Sequence, residues 1–401
     1  MNKLLQINVT ANWGSTGKIA EDIGKVAMSN GWESYIAYGR DTNPISTSKL
    51  IPIGNKWDMY YHGLQTRIFD KHGLASKKAT RDFIERVKQI DPDIIHLHNI
   101  HGYYINYEIL FDYLSKAQKP VVWTLHDCWP FTGHCAHFDA VGCNKWKTGC
   151  LNCKHKNTFP TAKILCNSAN NYIRKRKAFT SVKNMTFIPV SDWLSNFLDK
   201  SFLNEYPKRT IHNGIDINVF SPANIDKDKK NRFSIVGVAS VWSERKGMND
   251  FIELRKQLPN EYEITLIGLN KKQIDSLPSG IKGIARTNSL TELINYYSSA
   301  DVYVNPTYED NFPTTNIEAL ACGTPVITYR TGGSIEAVDS QTGYIVEQGD
   351  ISDLVNKIVQ TCNNNNKLET RKLCRERAVK LYNKEDRFME YIELYNSLLT
   401  K

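Results

Sequence analysis

The stretch Y-E-D-N-F-P-T-T-N-I-E-A-L-A-C-G-T-P-V-I-T-Y-R-T-G-G-S-I, residues 308–335, decides the fold class. Residues 301–305, just before it, alternate like a short buried strand. A helix is predicted to begin near Thr314 and to end at Gly323, because glycine commonly follows the last turn of a helix. The apolar run 326–328 then forms the next strand. Such a strand–loop–helix–strand unit is typical of an α/β sheet.

Two carboxylates flank the predicted start of this helix. Asp310 precedes it, and Glu318 follows eight residues later. The first turn of a helix presents unpaired N–H groups that suit a phosphate, and carboxylates accept hydrogen bonds from the vicinal hydroxyls of a sugar. The spacing also fits a capping box of Thr315 and Glu318, which would hold the helix start without any ligand. The spacing alone leaves both interpretations open.

The segment resembles the acidic E-x7-E motif of retaining, GT-B-fold, nucleotide-sugar-dependent glycosyltransferases. It is most similar to the bacterial family that builds capsule, O-antigen and exopolysaccharide, whose wording is close to E-A-L-A-C-G-T-P-V-I at 318–327. The resemblance runs over nearly the whole chain. It implies two Rossmann-like, doubly wound domains that face an interdomain cleft. In that family the first acidic residue contacts the donor sugar, and the second binds the ribose hydroxyls.

These roles fall on Asp310 and Glu318 of this chain. Asp310 stands where the family usually has Glu, so the charge is kept and the reach is shorter. We also expect the residues between the two carboxylates to contact the donor, namely Asn311, Phe312, Thr314 and Thr315. The resemblance leaves the donor base open, and a UDP- or GDP-sugar is expected.

Composition is that of an ordinary globular protein. The chain has 401 residues, of which 41% are hydrophobic and 23% charged, and this length suits two domains. Its N-terminus lacks a long apolar segment with a small-residue cleavage site, so no signal peptide is predicted. We therefore expect a cytoplasmic protein, with peripheral contact at the inner face of the cell membrane as an additional hypothesis.

The net charge is +9, with a pI near 8.9. Basic residues concentrate in the first half, in the run 174–177 and at Lys145, Lys147, Lys154 and Lys156. A solvated basic face is the simplest interpretation. If the face has a function, contact with an anionic membrane surface fits best, because polysaccharide acceptors are often lipid-linked. Nucleic-acid binding is not expected, since no helix places a basic stripe beside the cysteine-rich loop described below.

The first domain begins with a strand at residues 4–9 and a glycine-containing loop, N-W-G-S-T-G-K at 12–18. The loop is not a P-loop, because Asn12 and Ile19 occupy positions that the motif reserves for Gly and for Ser or Thr. The resembled family has a similar turn facing the cleft. Gly14 and Gly17 are therefore expected to let the backbone approach the donor phosphates or the acceptor.

A buried strand, 120–125, leads into His126-Asp127. Ligands of open α/β sheets bind at the carboxyl ends of strands, where this histidine would lie. A single histidine at such a position is also often a purely structural residue. In the resembled family it contacts the donor sugar near its C6 hydroxyl, and that role is the one we expect for His126.

A cysteine-rich loop follows, at residues 128–155. Cys150 and Cys153 have the spacing of a zinc knuckle. Cys135 and Cys143 supply two further thiolates for a tetrahedral, structural zinc site. Free reduced thiols and disulfides remain alternatives. The competing ligands in this loop are His134, His137, His155 and Cys128.

The second domain opens with a strand at 233–239 and a helix at 248–257. Lys246, between them, resembles the family's lysine that clamps the donor diphosphate, and Arg245 is the only nearby arginine. Arg286 follows a later strand, in a region that contacts the nucleotide in the family. With these cations neutralising the leaving diphosphate, no catalytic metal is expected.

The sequence therefore predicts a three-part organisation. Residues 1–205 form an acceptor-side domain, 206–384 a donor domain, and 385–401 a helix that packs back on the first domain. The predicted function is a hexosyl-type glycosyltransferase of bacterial surface polysaccharide biosynthesis, with a lipid-linked or oligosaccharide acceptor. The alternatives are a nucleotide-sugar epimerase or hydrolase of the same fold, an inactive homologue, and a zinc-knuckle nucleic-acid-binding protein.

Overall fold

A computed structural model describes three stretches of the chain, residues 1–42, 45–224 and 232–400. The chain divides into two units. Unit 1 comprises Met1–His212 with Arg387–Lys401, and unit 2 comprises Asn213–Asp386. Each unit contains one parallel sheet of six strands. The predicted α/β class with two Rossmann-like, doubly wound domains is therefore confirmed.

The sheet of unit 1 has the strand order β3-β2-β1-β4-β5-β6. Three of its strands, at 94–97, 121–125 and 185–189, are buried along their whole length, as expected for a parallel sheet covered on both faces. Its strands are β1 (Lys3–Asn8), β2 (Glu33–Tyr38), β3 (Lys49–Pro52), β4 (Ile94–Leu97), β5 (Val121–Leu125) and β6 (Met185–Pro189). Its helices are α1 (Gly14–Ser29), α2 (Lys56–Phe69), α3 (Lys77–Ile90), α4 (Tyr107–Ala117), α5 (Ser168–Phe179) and α6 (Asp192–Leu198).

The sheet of unit 2 has the order β12-β11-β10-β7-β8-β9. Its strands are β7 (Phe233–Val238), β8 (Tyr262–Ile267), β9 (Ile281–Ile284), β10 (Val302–Asn305), β11 (Val326–Tyr329) and β12 (Gly343–Val346). Its helices are α7 (Met248–Gln257), α8 (Lys271–Asp275), α9 (Leu290–Ser299), α10 (Thr314–Ala321), α11 (Ile351–Cys362) and α12 (Lys367–Tyr382). Strand order reverses between β7 and β10, so the crevice for a ligand is expected at the carboxyl ends of these two strands.

The last helix, α13 (Lys384–Leu399), begins in unit 2 and continues in unit 1. Its apolar face packs against residues of β1, β4, β5 and β6, with Ile392 and Tyr395 fully buried. Two tyrosine hydroxyls of the helix also meet the sheet. Tyr395 Oη lies 2.7 Å from His96 Nδ1, and Tyr391 Oη accepts a hydrogen bond from Thr124 Oγ1 at 3.2 Å. The C-terminal helix is thus part of the core of unit 1.

None of the helices in the three described stretches is long and apolar enough to cross a membrane.

Removing buried volume from α13 is predicted to destabilise unit 1. Ile392→Ala leaves a cavity in a close-packed core and should cost about 2–5 kcal/mol, seen as a lower melting temperature. Leu399→Ala is the matched control on the same helix, because Leu399 is exposed. Equal melting temperatures for the two variants would contradict this role of the helix.

Candidate functional site

The candidate site of unit 2 lies where its strand order reverses. β7 and β10 are hydrogen-bonded neighbours in parallel register. The loop after β7 carries Arg245 and Lys246, and the loop after β10 carries Asp310. Residues far apart in the sequence are therefore brought to one edge of the sheet, as the general rule for open α/β sheets predicts.

The two loops are bonded to each other through their backbones. Tyr308 N donates to Arg245 O at 2.9 Å, and Thr307 Oγ1 donates to the same oxygen at 3.3 Å. Gly247 adopts a left-handed φ of 75°, and a Cβ built there would meet Pro306 O at 2.3 Å. Only glycine allows this approach. Position 247 therefore fixes the distance between the loops.

Lys246 and Asp310 form an ion pair across the loops. Lys246 Nζ lies 2.5 Å from Asp310 Oδ2, and the two side chains are 21% and 20% exposed. Arg245 is more exposed and donates through Nη1 to Glu309 O at 3.0 Å. The site thus holds one cation and one carboxylate in contact, both partly shielded from water and still reachable by a ligand.

A second glycine lies against the backbone of the loop that carries Asp310. Gly332 has φ of 50°, and a Cβ there would lie 1.8 Å from Asp310 O. The loop residue before it, Thr331, donates through Oγ1 to Thr307 O at 2.8 Å. The backbone of the Asp310 loop therefore rests directly on Gly332.

Helix α10 begins at Thr314, as predicted, with Pro313 as its N-cap and without a side-chain capping bond. The capping box of Thr315 and Glu318 is therefore not formed. Instead, Glu318 Oε2 accepts a hydrogen bond from Tyr297 Oη at 3.0 Å. Tyr297 is fully buried, and burial raises its pKa well above the ordinary value, so it remains a hydrogen-bond donor.

The first turn of α10 is held by a buried amide. Asn316 is completely buried, donates through Nδ2 to Ser334 O at 3.1 Å, and accepts from Asn305 Nδ2 at 2.7 Å. Thr328 Oγ1 contacts Ser334 Oγ at 2.6 Å. This network ties the start of α10 to β10, β11 and the 3-10 turn at 332–337, so the helix end is rigidly placed.

The remaining predicted donor residues fall into three groups. Thr314 and Thr315 lie half-buried in the first turn of α10. Asn311 and Phe312 are buried, and the Phe312 ring packs 5.7 Å from that of Tyr382, which makes it a core residue as well. Arg286 is exposed beyond the end of β9, an edge strand separated from β7 by β8, and its contact with the nucleotide stays a prediction.

Several residues of this site were not predicted from the sequence. Tyr297 lies on α9, and nothing in its local spacing connects it with Glu318. Asp250 is another: it accepts from Tyr308 Oη at 3.2 Å, and burial raises its pKa above the ordinary value. The sequence indicated that Thr331, Gly332 and Gly333 could supply amides near the sugar, but not that Gly332 would lie against Asp310 O.

In unit 1, histidines gather at the carboxyl ends of β4 and β5. His98 Nδ1 lies 3.1 Å from His126 Nε2, and His98 Nε2 lies 3.0 Å from Gln6 Oε1. The rings of His96 and His98 are 4.1 Å apart. Burial lowers the pKa of His126 to about 4 and those of His96 and His98 well below the ordinary value. The cluster is therefore neutral near pH 7.

His126 is followed by a buried carboxylate that contacts an imidazole ring. Asp127 Oδ2 lies 2.7 Å from His101 Nε2, and Asp127 Oδ1 accepts from Trp129 N at 2.9 Å. Burial alone would raise the pKa of Asp127, but the His101 ring and the Trp129 N–H outweigh it and lower that pKa to about 2. This carboxylate stays ionised and orients the loop that starts at His126.

The two glycines of the first loop differ. Gly14 has φ of 66° at the start of α1, and a Cβ there would meet no atom within 4 Å. Gly17 is buried, and its Cβ would lie 2.7 Å from Thr10 Oγ1. Packing of the loop on α1 thus accounts for Gly17, whereas Gly14 leaves its backbone open.

The four predicted zinc-ligating cysteines, Cys135, Cys143, Cys150 and Cys153, line one cavity in unit 1. Cys135 Sγ and Cys153 Sγ are 3.8 Å apart, close to the separation of about 3.8 Å that two thiolates have on a tetrahedral zinc. Gly133 N donates to Cys150 Sγ at 3.1 Å. Within the described stretches, no three of these cysteine and histidine donor atoms lie within 4.8 Å of one another. The thiols share a cavity without forming a completed coordination shell.

The basic run at 174–177 is not the free cationic face that its sequence suggests. Arg174 binds both oxygens of Glu108, at 2.7 and 2.6 Å. Lys175 is buried, donates to Trp129 O and Thr132 O, and lies 3.4 Å from the centre of the Trp129 ring. Two of the four cations therefore serve unit 1 internally.

Comparisons with known proteins find similar sequences and similar folds among glycosyltransferases. Residues 232–364 match the model of the family described as Glycosyl transferases group 1. WcaC of Escherichia coli K12, assigned to colanic acid biosynthesis as a glycosyl transferase, is 24% identical over 88% of this chain and 89% of its own length. The capsular polysaccharide biosynthesis glycosyltransferase CapM of Staphylococcus aureus is 26% identical over 46% of this chain and 53% of its own.

Solved structures extend the match to the whole chain. Sucrose-phosphate synthase from Thermosynechococcus elongatus superposes with a TM-score of 0.71 at 17% identity, covering 100% of both chains. Anabaena HepE, in complex with UDP-glucose, gives 0.68 at 17% identity over 98% of this chain and 99% of that one. The fold is therefore the GT-B fold. Residues 232–364 thus resemble the group 1 glycosyl transferases, and the chain as a whole is similar to a glycosyl transferase named for colanic acid biosynthesis.

A methyl group at position 332 is predicted to displace the Asp310 loop. Gly332→Ala combines the cost of a left-handed φ, about 1–2 kcal/mol, with a backbone clash against Asp310 O. Gly323→Ala is the control, because Gly323 also has a positive φ, but a Cβ built there would lie 3.2 Å from its nearest contact, Arg371 O. Gly332→Ala should therefore melt at the lower temperature. A smaller effect than that of Gly323→Ala would contradict the contact.

The lowered pKa of His126 predicts that the folded chain loses stability in acid. The pKa of His126 is about 4 in the folded chain, against about 6.5 when unfolded, so protonation favours the unfolded state. Its contribution is fully present above about pH 6.5 and is lost as the pH falls towards 4. The melting temperature of His126→Gln should fall less steeply over this range than that of the wild type. Parallel curves would contradict the shift.

Proposed function

We propose that this chain transfers a hexosyl-type sugar from a nucleoside-diphosphate sugar, with UDP or GDP as the nucleotide, to an acceptor hydroxyl with retention of configuration. The product would be a bacterial surface polysaccharide. The observation that carries the proposal is the contact of Lys246 with Asp310 at the reversal of strand order in unit 2. A lysine cation suits the diphosphate, and a carboxylate suits sugar hydroxyls.

Binding of the donor would separate the Lys246–Asp310 ion pair, and each side chain would then contact a different part of the donor. Its diphosphate takes the Lys246 ammonium and the free N–H groups at the start of α10, which releases the Asp310 carboxylate to the sugar hydroxyls. Glu318, held by Tyr297, accepts hydrogen bonds from the ribose. The complex of HepE with UDP-glucose supports a nucleotide sugar as the ligand of this fold.

Catalysis would rest on charge and position. Cleaving the bond between sugar and diphosphate places negative charge on the leaving phosphate, where Lys246, Arg245 and the α10 amides stabilise it. These cations provide the neutralisation that a divalent metal supplies elsewhere, so we propose metal-independent transfer. In unit 1 we propose that His126 binds a sugar hydroxyl through its neutral ring and that Gly14 presents its backbone to a substrate.

We also propose a structural zinc ion in the cavity of the cysteine-rich loop. Cys135 and Cys153 already have a suitable spacing, and the Gly133 N–H favours a thiolate at Cys150. Cys143 lines the same cavity and completes the four ligands. The ion would fix a long segment whose helical elements are short 3-10 turns at 129–131 and 145–147.

Turnover is predicted to depend on Lys246. Lys246→Met should lower the rate of sugar transfer about 100-fold or more, the range seen when one transition-state charge partner is lost. Lys256→Met is the control, since Lys256 lies exposed on α7 and pairs with Glu253. Assays with and without acceptor separate transfer from epimerase or hydrolase activity. Unchanged turnover in Lys246→Met, or product without acceptor, would contradict the proposal.

Zinc content tests the metal proposal. Protein purified without chelator should carry about one equivalent of zinc, and Cys153→Ser should lose it. Cys166→Ser is the control, because Cys166 lies exposed outside the four-cysteine set. Less than about half an equivalent in the wild type, or equal zinc in both variants, would contradict the site.

A further inference from the structure

Helix α2 buries two polar side chains and exposes most of its large aromatic ones. The buried side chains of the helix are His62 and Thr66, whereas Trp57 is 81% exposed and Leu64 52%. An ordinary surface helix shows the opposite arrangement. The outward residues recur at helical spacing, so they form one face; they are Trp57, Tyr60, Tyr61 and Leu64.

Hydrogen bonds of His62 help to hold the inner side of α2 in place. His62 Nδ1 lies 2.8 Å from Ser76 Oγ, and His62 Nε2 accepts from Gly73 N at 3.0 Å. At the helix start, Asn55 Oδ1 accepts from Trp57 N, and Asp58 completes the capping box. The exposed aromatic residues therefore do not account for the stability of the helix, and their position calls for another explanation.

The apolar surface continues beyond the helix. Lys163 N donates to Arg67 O at 2.7 Å and Leu165 N to Ile68 O at 3.0 Å, which fixes residues 163–165 beside the helix end. Ile164 is 62% exposed there. Monomeric proteins rarely expose large contiguous apolar patches without a function. We call this surface the α2 face; it comprises Trp57, Tyr60, Tyr61, Leu64, Phe69, Ile164 and Leu165.

Basic residues surround the α2 face. Those exposed beside it are Lys56, Arg67, Lys71 and Lys163. Lys71 Nζ lies 5.1 Å from the centre of the Phe69 ring. The one acidic residue of α2, Asp58, is engaged in the capping box. An apolar, aromatic centre with a cationic rim matches the chemistry of a bilayer surface with anionic headgroups.

We propose that the α2 face docks on an anionic lipid bilayer, with Trp57, Tyr60 and Leu64 entering the headgroup region and the surrounding lysines contacting lipid phosphates. The proposal rests on the proposed function in one respect, because a lipid-linked acceptor would be met at that surface. It differs from the sequence-based membrane hypothesis in its location, since two cations of the 174–177 run are engaged within unit 1.

The test is binding of the full chain to vesicles of phosphatidylcholine, with or without phosphatidylglycerol. The wild type should sediment with the anionic vesicles, and Trp57→Ser combined with Leu64→Ser should bind about tenfold more weakly. Ile173→Ser is the control, because Ile173 is 63% exposed on another helix of unit 1. Equal binding of wild type and double variant would overturn the proposal.

Two further measurements identify the occupant. Lys56→Glu with Lys163→Glu should weaken binding to anionic vesicles more than Lys177→Glu with Lys183→Glu, which changes the net charge equally. Quenching of tryptophan fluorescence by brominated lipid should largely disappear in Trp57→Phe. A dimer in solution that Trp57→Ser abolishes, without vesicle binding by the wild type, would overturn the proposal in favour of a second copy.

The vesicle-binding test of the α2 face can be distinguished from the test of the proposed donor site. The α2 variants should keep wild-type transfer to a soluble acceptor, because Trp57 and Leu64 are exposed and belong to none of the proposed site residues, which are Lys246, Arg245, Asp310 and Glu318 of unit 2 and His126 and Gly14 of unit 1. Loss of vesicle binding with normal transfer therefore concerns the α2 face alone. Vesicle binding by a chain without transfer would count against the proposed enzyme function and not against the α2 face.

Discussion

The candidate site of unit 2 depends on how closely two loops approach at the reversal of strand order. The loop after β7 touches the loop after β10 because position 247 lacks a Cβ that would strike Pro306 O. The second loop lies on Gly332 for the same reason. These two contacts bring Lys246 within 2.5 Å of Asp310. The chemistry of the site thus follows from a steric constraint on the backbone, and side-chain charge acts only after that constraint is met.

The same region shows why the fold could be predicted and parts of the site could not. The strand–loop–helix–strand unit at 301–328 is encoded locally, in an apolar run, a helix start and Gly323, so β10, α10 and β11 lie where expected. Lys246 and Asp310 were predicted by resemblance to a family motif. Tyr297, which binds Glu318, lies on a different helix. A contact of this kind depends on the packing of α9 against α10. It therefore cannot be predicted from the spacing of residues within a single segment.

Other differences between prediction and structure arise from burial, which is difficult to predict from the sequence. Thr315 and Glu318 satisfy the pattern of a capping box, yet Glu318 bonds with a buried tyrosine instead. The run 174–177 is basic in sequence, but Arg174 pairs with Glu108 and Lys175 is enclosed by Trp129 and two carbonyl oxygens. Helix α2 is the reverse case, because Trp57, Tyr60 and Leu64 remain exposed. The pattern of residue types predicts helices and strands well. It predicts which face of a helix or strand is buried only when the element that packs on that face is known.

Unit 1 combines an apolar core with a polar end. The side chains of α13 close the core, while neutral His98 and His126 and the ionised Asp127 occupy the carboxyl ends of the strands. His98 contacts Gln6 and His126, and Asp127 contacts His101, so that the orientation of these groups is fixed at a cost in desolvation. Side chains held in fixed orientations are suited to binding the hydroxyl groups of a ligand, and this is the role proposed for His126.

The central claim is that unit 2 binds a nucleoside diphosphate through Lys246 and Glu318. The most direct measurement is calorimetric titration of the wild type and Glu318→Gln with UDP, GDP, ADP, CDP and dTDP. Glu253→Gln serves as the control for charge, because Glu253 is exposed on α7. We predict that one nucleotide binds the wild type and Glu253→Gln alike and binds Glu318→Gln at least about tenfold more weakly, the factor that 1.4 kcal/mol represents. Equal affinity of all three proteins for that nucleotide, or no binding of any nucleotide to the wild type, would contradict the account.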